Sequence, residues 1–324
     1  YPLANDRLDR SMKFRTNQET GEKSTRPASR PLEAPTSSPA RSGDVTSTRH
    51  LSFAMFRAAL RRASTHASLN ARVRGAFRAL ATSATQKTGG IYEVRTYDIE
   101  PSRLDEYLAM CADSANERKK VTNEGFVGFF VTELGGDAHE VTHVYRYDDY
   151  DARDDARNAM KRSETWTAFL KASKPMVRRQ KSEIFLEATK ATASAGMEAN
   201  DVLRRAREGN GGRADGVFEW RRYQLELGYN PIPKLVDALA KGLPSKLASD
   251  RDGRGELVWM GYSDVGKLNQ FVELWRYDCY QDHIKAREAA RSADAWRAAI
   301  NEIAPMVQMF DTQLMRPAAA SPIK

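Results

Sequence analysis

Tyr145-Arg-Tyr-Asp-Asp-Tyr150 recurs as Trp275-Arg-Tyr-Asp-Cys-Tyr280, 130 residues further along the chain. Further matches at or near this offset are Glu93-Val-Arg-Thr-Tyr97 with Glu219-Trp-Arg-Arg-Tyr223, Arg157 with Arg287, Trp166 with Trp296, and Pro175-Met-Val177 with Pro305-Met-Val307. Similarity over roughly 100 residues is too long for a solenoid repeat, whose units have about 20 to 50 residues. The sequence therefore predicts two whole domains that arose by duplication of one ancestor.

The positive charge of the chain is confined to its first 90 residues. The 324-residue sequence has a formal net charge of +8, but residues 1–90 hold 16 Lys and Arg against 6 Asp and Glu, so residues 91–324 carry −2. A slightly acidic folded part gives no electrostatic reason to bind nucleic acid, because neutralising phosphates requires a basic surface. We therefore expect no nucleic-acid partner.

The leader divides into two segments of different composition. Residues 1–54 are rich in Pro, Ser and Arg with few apolar residues, which predicts disorder. Residues 55–87 contain Arg, Ala and Ser but no acidic residue, and Phe56 and Leu60 are spaced for one helical face. This pattern is typical of a mitochondrial transit peptide and predicts residence in the matrix. The alternative is a disordered basic tail with some affinity for nucleic acid.

Each repeat shows the pattern of an α+β domain with the order β-α-β-β-α-β. The expected elements of the first repeat are strands 91–99, 126–134, 140–147 and 180–187, a helix that begins at Pro101, and a helical stretch over 152–174 with a break near Ser163. Those of the second repeat are strands 217–225, 257–262, 270–277 and 309–315, with helices over 232–248 and 281–303. This order is that of the ferredoxin-like fold.

A sheet with helices on one face needs a partner for its other face. The second repeat can supply it, so we expect the domains 88–188 and 217–317, joined by a linker over 189–216, to pack their sheets face to face as an internal pseudo-dimer. No apolar run reaches 18 residues, which predicts that no transmembrane segment is present. Whether this pseudo-dimer pairs again as a homo-oligomer is left open.

Several of these stretches together resemble the NipSnap family. They are Ile91-Tyr-Glu-Val-Arg-Thr-Tyr97, Gly128-Phe-Phe-Val-Thr-Glu-Leu-Gly135, Val144-Tyr-Arg-Tyr-Asp148 and Glu164-Thr-Trp166, with echoes in Val217-Phe-Glu-Trp-Arg-Arg-Tyr223 and Leu274-Trp-Arg-Tyr-Asp278. The resemblance implies tandem dimeric α/β-barrel domains, a mitochondrial location, and a part in marking damaged mitochondria for autophagy (mitophagy) by binding autophagy adapters. It implies protein interaction more clearly than a reaction, and we expect no cofactor.

The candidate site residues are Glu93, Arg95 and His143. Strand alternation places Glu93 and Arg95 on one face of the first strand and His143 with Tyr145 on one face of the third. If these faces meet inside the barrel, they form a polar cluster with a counterpart in the second repeat. The members of that counterpart would be Glu219, Arg221, Glu273 and Trp275.

Two interpretations of this cluster remain open. The related barrel folds include small monooxygenases and haem-degrading enzymes, so the cluster could bind a small ligand or haem and perform acid–base chemistry between the sheets. Alternatively, Glu and Arg two positions apart are a structural ion pair, because buried charges need partners. The duplication favours the second interpretation for Glu93 and Arg95, while His143, which aligns with Glu273, remains the lone chemical candidate.

Other signals for chemistry are weak. His139 and His143 share a strand face without a third ligand, so no metal site is expected. The cysteines Cys111 and Cys279 have no partner at ligand spacing, and their number excludes a disulfide framework. No nucleotide-binding glycine motif lies between a strand and a helix. The sequence thus favours a mitochondrial NipSnap-type protein that acts without catalysis, with the monooxygenase-like enzyme as the alternative.

Overall fold

The structure is a computed structural model that describes residues 89–198, 200–209 and 214–324. The predicted disordered segment over 1–54 and the predicted transit peptide over 55–87 lie outside the described residues. In the described part, eight antiparallel strands close into one barrel. The strands are β1 (Ile91–Ile99), β2 (Phe126–Leu134), β3 (Glu140–Tyr147), β4 (Val177–Glu187), β5 (Val217–Leu225), β6 (Glu256–Val265), β7 (Gln270–Tyr277) and β8 (Val307–Pro317).

The strand order around the barrel is β1-β3-β2-β8-β5-β7-β6-β4, so each repeat contributes one block of four strands. The blocks join where β2 pairs with β8 and where β4 pairs with β6, for example Phe130 opposite Pro317 and Leu186 opposite Tyr262. The expectation was a pseudo-dimer of dimeric α/β-barrel domains whose sheets pack face to face. In the structure their edges also pair, which satisfies the backbone groups that an open edge would leave unpaired.

Helices cover the outer face of each four-stranded block, and one further short helix packs against the apolar core inside the barrel. Those described are α1 (Leu104–Asp113), α2 (Ala115–Val121), α3 (Tyr150–Arg162), α4 (Glu164–Ser173), α5 (Thr189–Ser194), α6 (Asp201–Glu208), α7 (Pro231–Ser249), α8 (Tyr280–Arg291) and α9 (Asp294–Ile303). None of them is long and apolar enough to cross a membrane. The structure is therefore an α+β protein in which each block has the barrel interior on one side and helices on the other.

Local side-chain chemistry explains where the outer helices begin and end. The side chain of Asp149 accepts a hydrogen bond from Ala152 N at 2.8 Å and caps α3, and Ser163 accepts one from Trp166 N at 3.0 Å and caps α4. The break at Ser163 is therefore at the predicted position. The second repeat was expected to have one unbroken helix over 281–303, but α8 ends at Arg291.

The segment between the repeats is more structured than the predicted linker. It contains α5 and α6, and Val202, Leu203 and Ala206 on one face of α6 belong to the apolar cluster that fills the barrel. The sequence shows a helix-capable piece over 201–207 within the predicted linker, and the apolar face of this helix gains by burial against the barrel interior. α6 thus packs against the barrel as part of its core.

The barrel interior has a filled apolar core, and the ion pair of Glu183 and Arg222 lies beside it on the same strand faces. Tyr92 stacks on Trp259 with ring centroids 4.3 Å apart, and Phe130 packs on Phe218 at 4.7 Å. The remaining strand residues of this cluster are Val94, Val127, Val144, Phe185, Trp220, Val258, Val272, Leu274 and Met315. The space between the two sheets is therefore a packed core, and a ligand site has to be sought elsewhere.

Candidate functional site

The structure brings Glu93, Arg95 and His143 together. Strands β1 and β3 pair in a register that sets Glu93 opposite Tyr145 and Arg95 opposite His143. The cluster does not face the barrel interior, however, and that part of the expectation is wrong. These side chains point to the outer face, where the helices supply their hydrogen-bond partners.

Glu93 is the centre of an ionic cluster and has no exposed surface. Its Oε1 accepts hydrogen bonds from Arg95 at 3.0 Å and from Ser182 at 2.8 Å, and Arg153 of α3 donates to both of its oxygens at 2.9 and 3.1 Å. Arg157 lies 3.6 Å away. Arginine and serine donors therefore compensate this buried carboxylate, which is the structural pairing that the duplicated Glu and Arg suggested.

His143 has both ring nitrogens engaged. Arg118 of α2 lies 2.7 Å from Nδ1, and the hydroxyl of Tyr107 lies 3.1 Å from Nε2. Since a guanidinium can only donate, Nδ1 accepts, and we assign the proton of the neutral ring to Nε2. Burial, followed by the charges of Arg118 and Arg95, lowers the pKa of His143 well below its usual value. Neither nitrogen is open to haem, and a catalytic role for His143 stays a prediction.

Arg118 is buried among the aromatic side chains of the first repeat. Its guanidinium packs 5.0 Å from the ring of Phe126 and 5.1 Å from that of Trp166, and it donates to Tyr145 Oη at 3.2 Å. The aromatic faces and hydrogen bonds together compensate a buried guanidinium. Arg118 is therefore held by hydrogen bonds and aromatic faces, while its Nε has no hydrogen-bond partner among the described residues.

The second repeat reproduces the carboxylate centre on β5. Glu219 accepts hydrogen bonds from Arg221 at 2.7 Å, from Tyr277 Oη at 2.8 Å and from Thr312 at 2.9 Å, and His283 Nε2 lies 3.2 Å from it. Burial alone would raise the pKa of Glu219. The hydrogen bonds and charges of His283 and Arg221 outweigh burial and hold this pKa well below its usual range.

The second repeat differs where the first has its histidine. Glu273 replaces His143 and Trp275 replaces Tyr145, and the indole nitrogen of Trp275 donates to Glu273 at 2.6 Å. The basic residue that covers this pair is Lys246 of α7, whose Nζ lies 3.5 Å from the ring centroid of Trp275 and 4.5 Å from that of Trp296. Lys246 therefore takes the place that Arg118 takes in the first repeat.

Lys246 is a buried amine without a hydrogen bond. Only 8% of the residue is exposed, and its Nζ has no hydrogen-bond partner among the described residues. Burial lowers the pKa of Lys246 well below its usual value, and the charge of Arg221 lowers it further, while Glu273 and Glu219 act in the opposite direction. Arg221 Nε and Glu273 Oε1 also lack hydrogen-bond partners in the described part of the chain.

Lys246 lines a cavity of about 630 Å³, called here the second-repeat cavity. It lies between the outer face of the second sheet and helices α7, α8 and α9. Its lining residues include the aromatic Tyr223, Trp275, Tyr277, Trp296 and Phe310, the aliphatic Leu247, Ile300, Ile303 and Val307, and the charged Arg221, Lys246, Asp250, Arg287, Arg291 and Arg297. Cavities of this size and apolar character hold small molecules.

A small residue contributes to this cavity. Ala290 of α8 lines it, whereas the matched residue of the first repeat, Met160, packs with Val121 and Trp166 in a separate apolar cluster. The larger side chain and the longer Arg118 occupy the corresponding space in the first repeat. Two differences between the repeats thus accompany the open cavity in the second.

Sequence reasoning missed Lys246, although a signal was present. On α7, Leu235, Leu239 and Leu243 form a buried stripe at spacings of four, and Lys246 continues it one turn later. A lysine at a position where the apolar period demands a core residue is a marker of a buried charge. Among the described residues, no group of three or more His, Cys, Asp or Glu is placed to hold a metal ion.

The comparisons with known proteins agree with this architecture. The NIPSNAP family model matches residues 92–191 and 218–322, so it covers both repeats. The chain belongs to the NIPSNAP family. Relatives in this family include NipSnap homolog 3A of Pongo abelii, 25% identical over 83% of this chain and 99% of the relative, and NipSnap homolog 2 of Mus musculus, 23% identical over 74% and 79%.

Solved structures resemble this NIPSNAP-family chain only distantly. A candidate monooxygenase from Lactobacillus acidophilus is 13% identical, with a TM-score of 0.49 over 70% of this chain and 93% of that one. A NipSnap-family protein of unknown function from Agrobacterium tumefaciens is 22% identical, with a TM-score of 0.30 over 34% and 94%. No conclusion about activity follows from either similarity.

Proposed function

We propose that this NIPSNAP-family protein acts by binding, and that the second-repeat cavity takes a small molecule with an apolar body and an anionic group. The observation that carries this proposal is Lys246, a buried amine that lines a cavity of about 630 Å³ and has no hydrogen-bond partner in the described part of the chain. Buried polar groups are normally satisfied, so an unsatisfied one beside a cavity is explained by a ligand that contacts it.

The lining residues indicate the chemistry of the ligand. Five lining residues are Lys or Arg and one, Asp250, is acidic. Arg291 and Arg297 are exposed at the α8 and α9 side, while Trp275 and Trp296 lie deeper and are buried. An anionic group would meet the arginines, and an apolar body would lie against the indole rings.

The proposed cellular location rests on the family resemblance and on the composition of the leader. We propose that the protein is mitochondrial and that residues 55–87 direct its import, because this segment is basic and free of acidic residues. We further propose that the two repeats are duplicated ferredoxin-like units, as their matching element order suggests. The segment limits 88–188, 189–216 and 217–317 remain part of this proposal.

A second proposed role is protein interaction, including the binding of autophagy adapters that the family resemblance implies. Leu227 and Tyr229 in the loop after β5 are 86% and 99% exposed, and Leu268 after β6 is 55% exposed. Asn269 ties these loops together by donating to the carbonyls of Glu226 and Gly228 at 2.6 and 2.9 Å. Exposed apolar side chains held on linked loops support a protein-binding surface.

The ligand-binding role is tested with the fluorescent probe 1-anilinonaphthalene-8-sulfonate, which has an apolar ring system and an anionic sulfonate. Titration of the full chain should give saturable fluorescence. Ala290→Met, which introduces the residue found at Met160, should weaken probe binding by about tenfold or more, because it fills the cavity. Ala298→Met, on the exposed face of α9, is the matched control and should bind as the unmodified protein does. Equal binding by both variants would overturn the proposed site.

The interaction role has its own test. Leu227→Asp combined with Tyr229→Ser should reduce cross-linking to autophagy adapters in depolarised mitochondria, whereas Ala290→Met should leave it unchanged, because the cavity and these loops involve different residues. Unchanged adapter cross-linking in the loop variant would exclude these loops as the adapter surface.

A further inference from the structure

Lys246 has the surroundings of a nucleophilic amine. Its Nζ is buried and lies against the indole rings of Trp275 and Trp296. This nitrogen makes no hydrogen bond with any described residue. A lysine is a weak nucleophile when protonated and becomes a good one when it is desolvated or lies near another cation. Both conditions are met here, because Arg221 lines the same cavity.

We propose that Lys246 forms a reversible imine with the carbonyl carbon of a small aldehyde or ketone bound in the second-repeat cavity, an inference that rests on the proposed binding function and specifies its ligand. The apolar body of the carbonyl compound would lie against the indoles, and an anionic group on it would face Arg291 and Arg297. Carbonyl compounds that carry a carboxylate on an apolar skeleton are therefore the ligand class.

The step balances without any oxidant or reductant. The lone pair on Nζ attacks the carbonyl carbon and forms the C–N bond, while the carbonyl π electrons move to oxygen. A proton passes from nitrogen to that oxygen and gives a carbinolamine. The C–O bond then breaks, the second nitrogen proton leaves with the hydroxyl as one water molecule, and the C=N bond forms.

The surroundings of Lys246 lower the pKa of its amine and so favour the unprotonated form that attacks a carbonyl. Burial lowers its pKa well below the usual value, Arg221 on β5 and Arg287 on α8 add to this effect, and Glu273 on β7 with Glu219 on β5 oppose it. The opposing carboxylates are already engaged, because Glu219 bonds Arg221 and Glu273 accepts from Trp275. Exposed lysines, in contrast, are protonated at pH 7.

The first repeat is an internal control for this chemistry. Arg118 occupies the matched place, and its guanidinium donates to His143 and Tyr145. A guanidinium remains protonated in proteins and does not form an imine with a carbonyl under such conditions. The proposed reaction therefore belongs to the second repeat alone.

The test uses 4-carboxybenzaldehyde at pH 7 with sodium cyanoborohydride, which reduces an imine to a stable amine. The full chain should acquire one adduct, mapped by mass spectrometry to Lys246 with at least about tenfold preference over any exposed lysine. Lys246→Arg and Lys246→Met should each abolish it, Ala290→Met should reduce it about tenfold, and Ala298→Met should leave it unchanged. Adducts distributed over exposed lysines, or unchanged labelling in Ala290→Met, would overturn the proposal.

A second probe separates failure of the imine from failure of the binding site. Terephthalate has the same ring with a carboxylate in place of the aldehyde, so it can occupy the cavity but cannot form an imine. If terephthalate displaces 1-anilinonaphthalene-8-sulfonate while the aldehyde leaves Lys246 unmodified, the imine is excluded and the binding function stands. If neither probe occupies the cavity, the proposed ligand-binding function and the imine fail together.

Discussion

Arg118 and Lys246 lie against matched tryptophans in the two repeats, at 5.1 Å from the ring of Trp166 and 4.5 Å from that of Trp296, yet only Arg118 has hydrogen-bond partners. Duplication has kept a buried basic side chain at this place and changed what surrounds it. The first repeat compensates the cation with His143 and Tyr145, whereas the second leaves an amine beside a cavity. The two repeats therefore differ at the place where we propose that a small molecule binds.

This difference predicts opposite responses to the same substitution. Arg118→Met should lower the free energy of unfolding by about 3 kcal/mol, because it removes the donor to His143 and Tyr145 from a buried site. Lys246→Met should change it by less than about 1 kcal/mol or raise it, because no hydrogen bond is lost and an amine leaves an apolar site. Urea unfolding of the two variants measures both values. Equal losses would show that Lys246 has a bonding partner that this structure lacks.

The raised pKa of Glu187 should make the free energy of unfolding depend on pH. Burial raises its pKa to about 7, with Arg146 opposing and Asp201 adding to the rise. Because the folded state holds this proton more tightly than the unfolded chain, its contribution is fully present below the ordinary pKa of about 4.5 and is lost as the pH rises through 7. Glu187→Gln should therefore raise the free energy of unfolding by about 1–3 kcal/mol at pH 8 and change it little at pH 5.

The control for this experiment is Glu302→Gln, an exposed glutamate on α9. Unfolding of both variants is followed by urea titration at the two pH values. A gain for Glu187→Gln of the same size at pH 5 and pH 8 would rule out protonation of Glu187 as its cause.

Much of the fold was predictable because its signals are local. Alternation along 91–99 and 140–147 sets which residues share a face, and pairing of β1 with β3 then brings Glu93, Arg95 and His143 together. The helix break at Ser163 was predictable because its hydroxyl caps α4. The break after Arg291 was missed, since the residue before α9 is Ala293, which has no side-chain oxygen to signal a cap.

Strand alternation could not show whether the site faces the barrel interior or the outer helices. A strand that is buried on both sides has two faces of similar burial. Which face meets helices depends on Arg118 and Arg153, residues distant in sequence that supply donors to His143 and Glu93. The cavity was hidden for a related reason. It depends on how α7, α8 and α9 pack together, and only the buried position of Lys246 on α7 pointed to it.

The carboxylate centres should behave alike if their role is structural. Glu93→Gln places an amide donor against Arg95 and Arg153, and Glu219→Gln does the same against Arg221, so each should lower the free energy of unfolding by about 2–4 kcal/mol. Chemical unfolding at pH 7 measures the loss, with Glu302→Gln as the exposed control. A Glu93→Gln variant as stable as the control would contradict the structural interpretation and return Glu93 to the list of chemical candidates.

Met160 in the first repeat matches Ala290 in the second. Replacing Met160 by Ala should therefore open a cavity in the first repeat, and replacing Ala290 by Met should fill the one in the second. Met160→Ala should lower the free energy of unfolding by about 2–4 kcal/mol, because it leaves Val121 and Trp166 with a void that packed helices cannot fully collapse. Ala290→Met should raise it by about 0.5–1 kcal/mol, because the added side chain meets Trp275 or Trp296 in space that already exists. Thermal and urea unfolding without ligand measure both changes. A loss of several kcal/mol in Ala290→Met would mean that the second-repeat cavity has no room for a side chain, and hence none for a ligand.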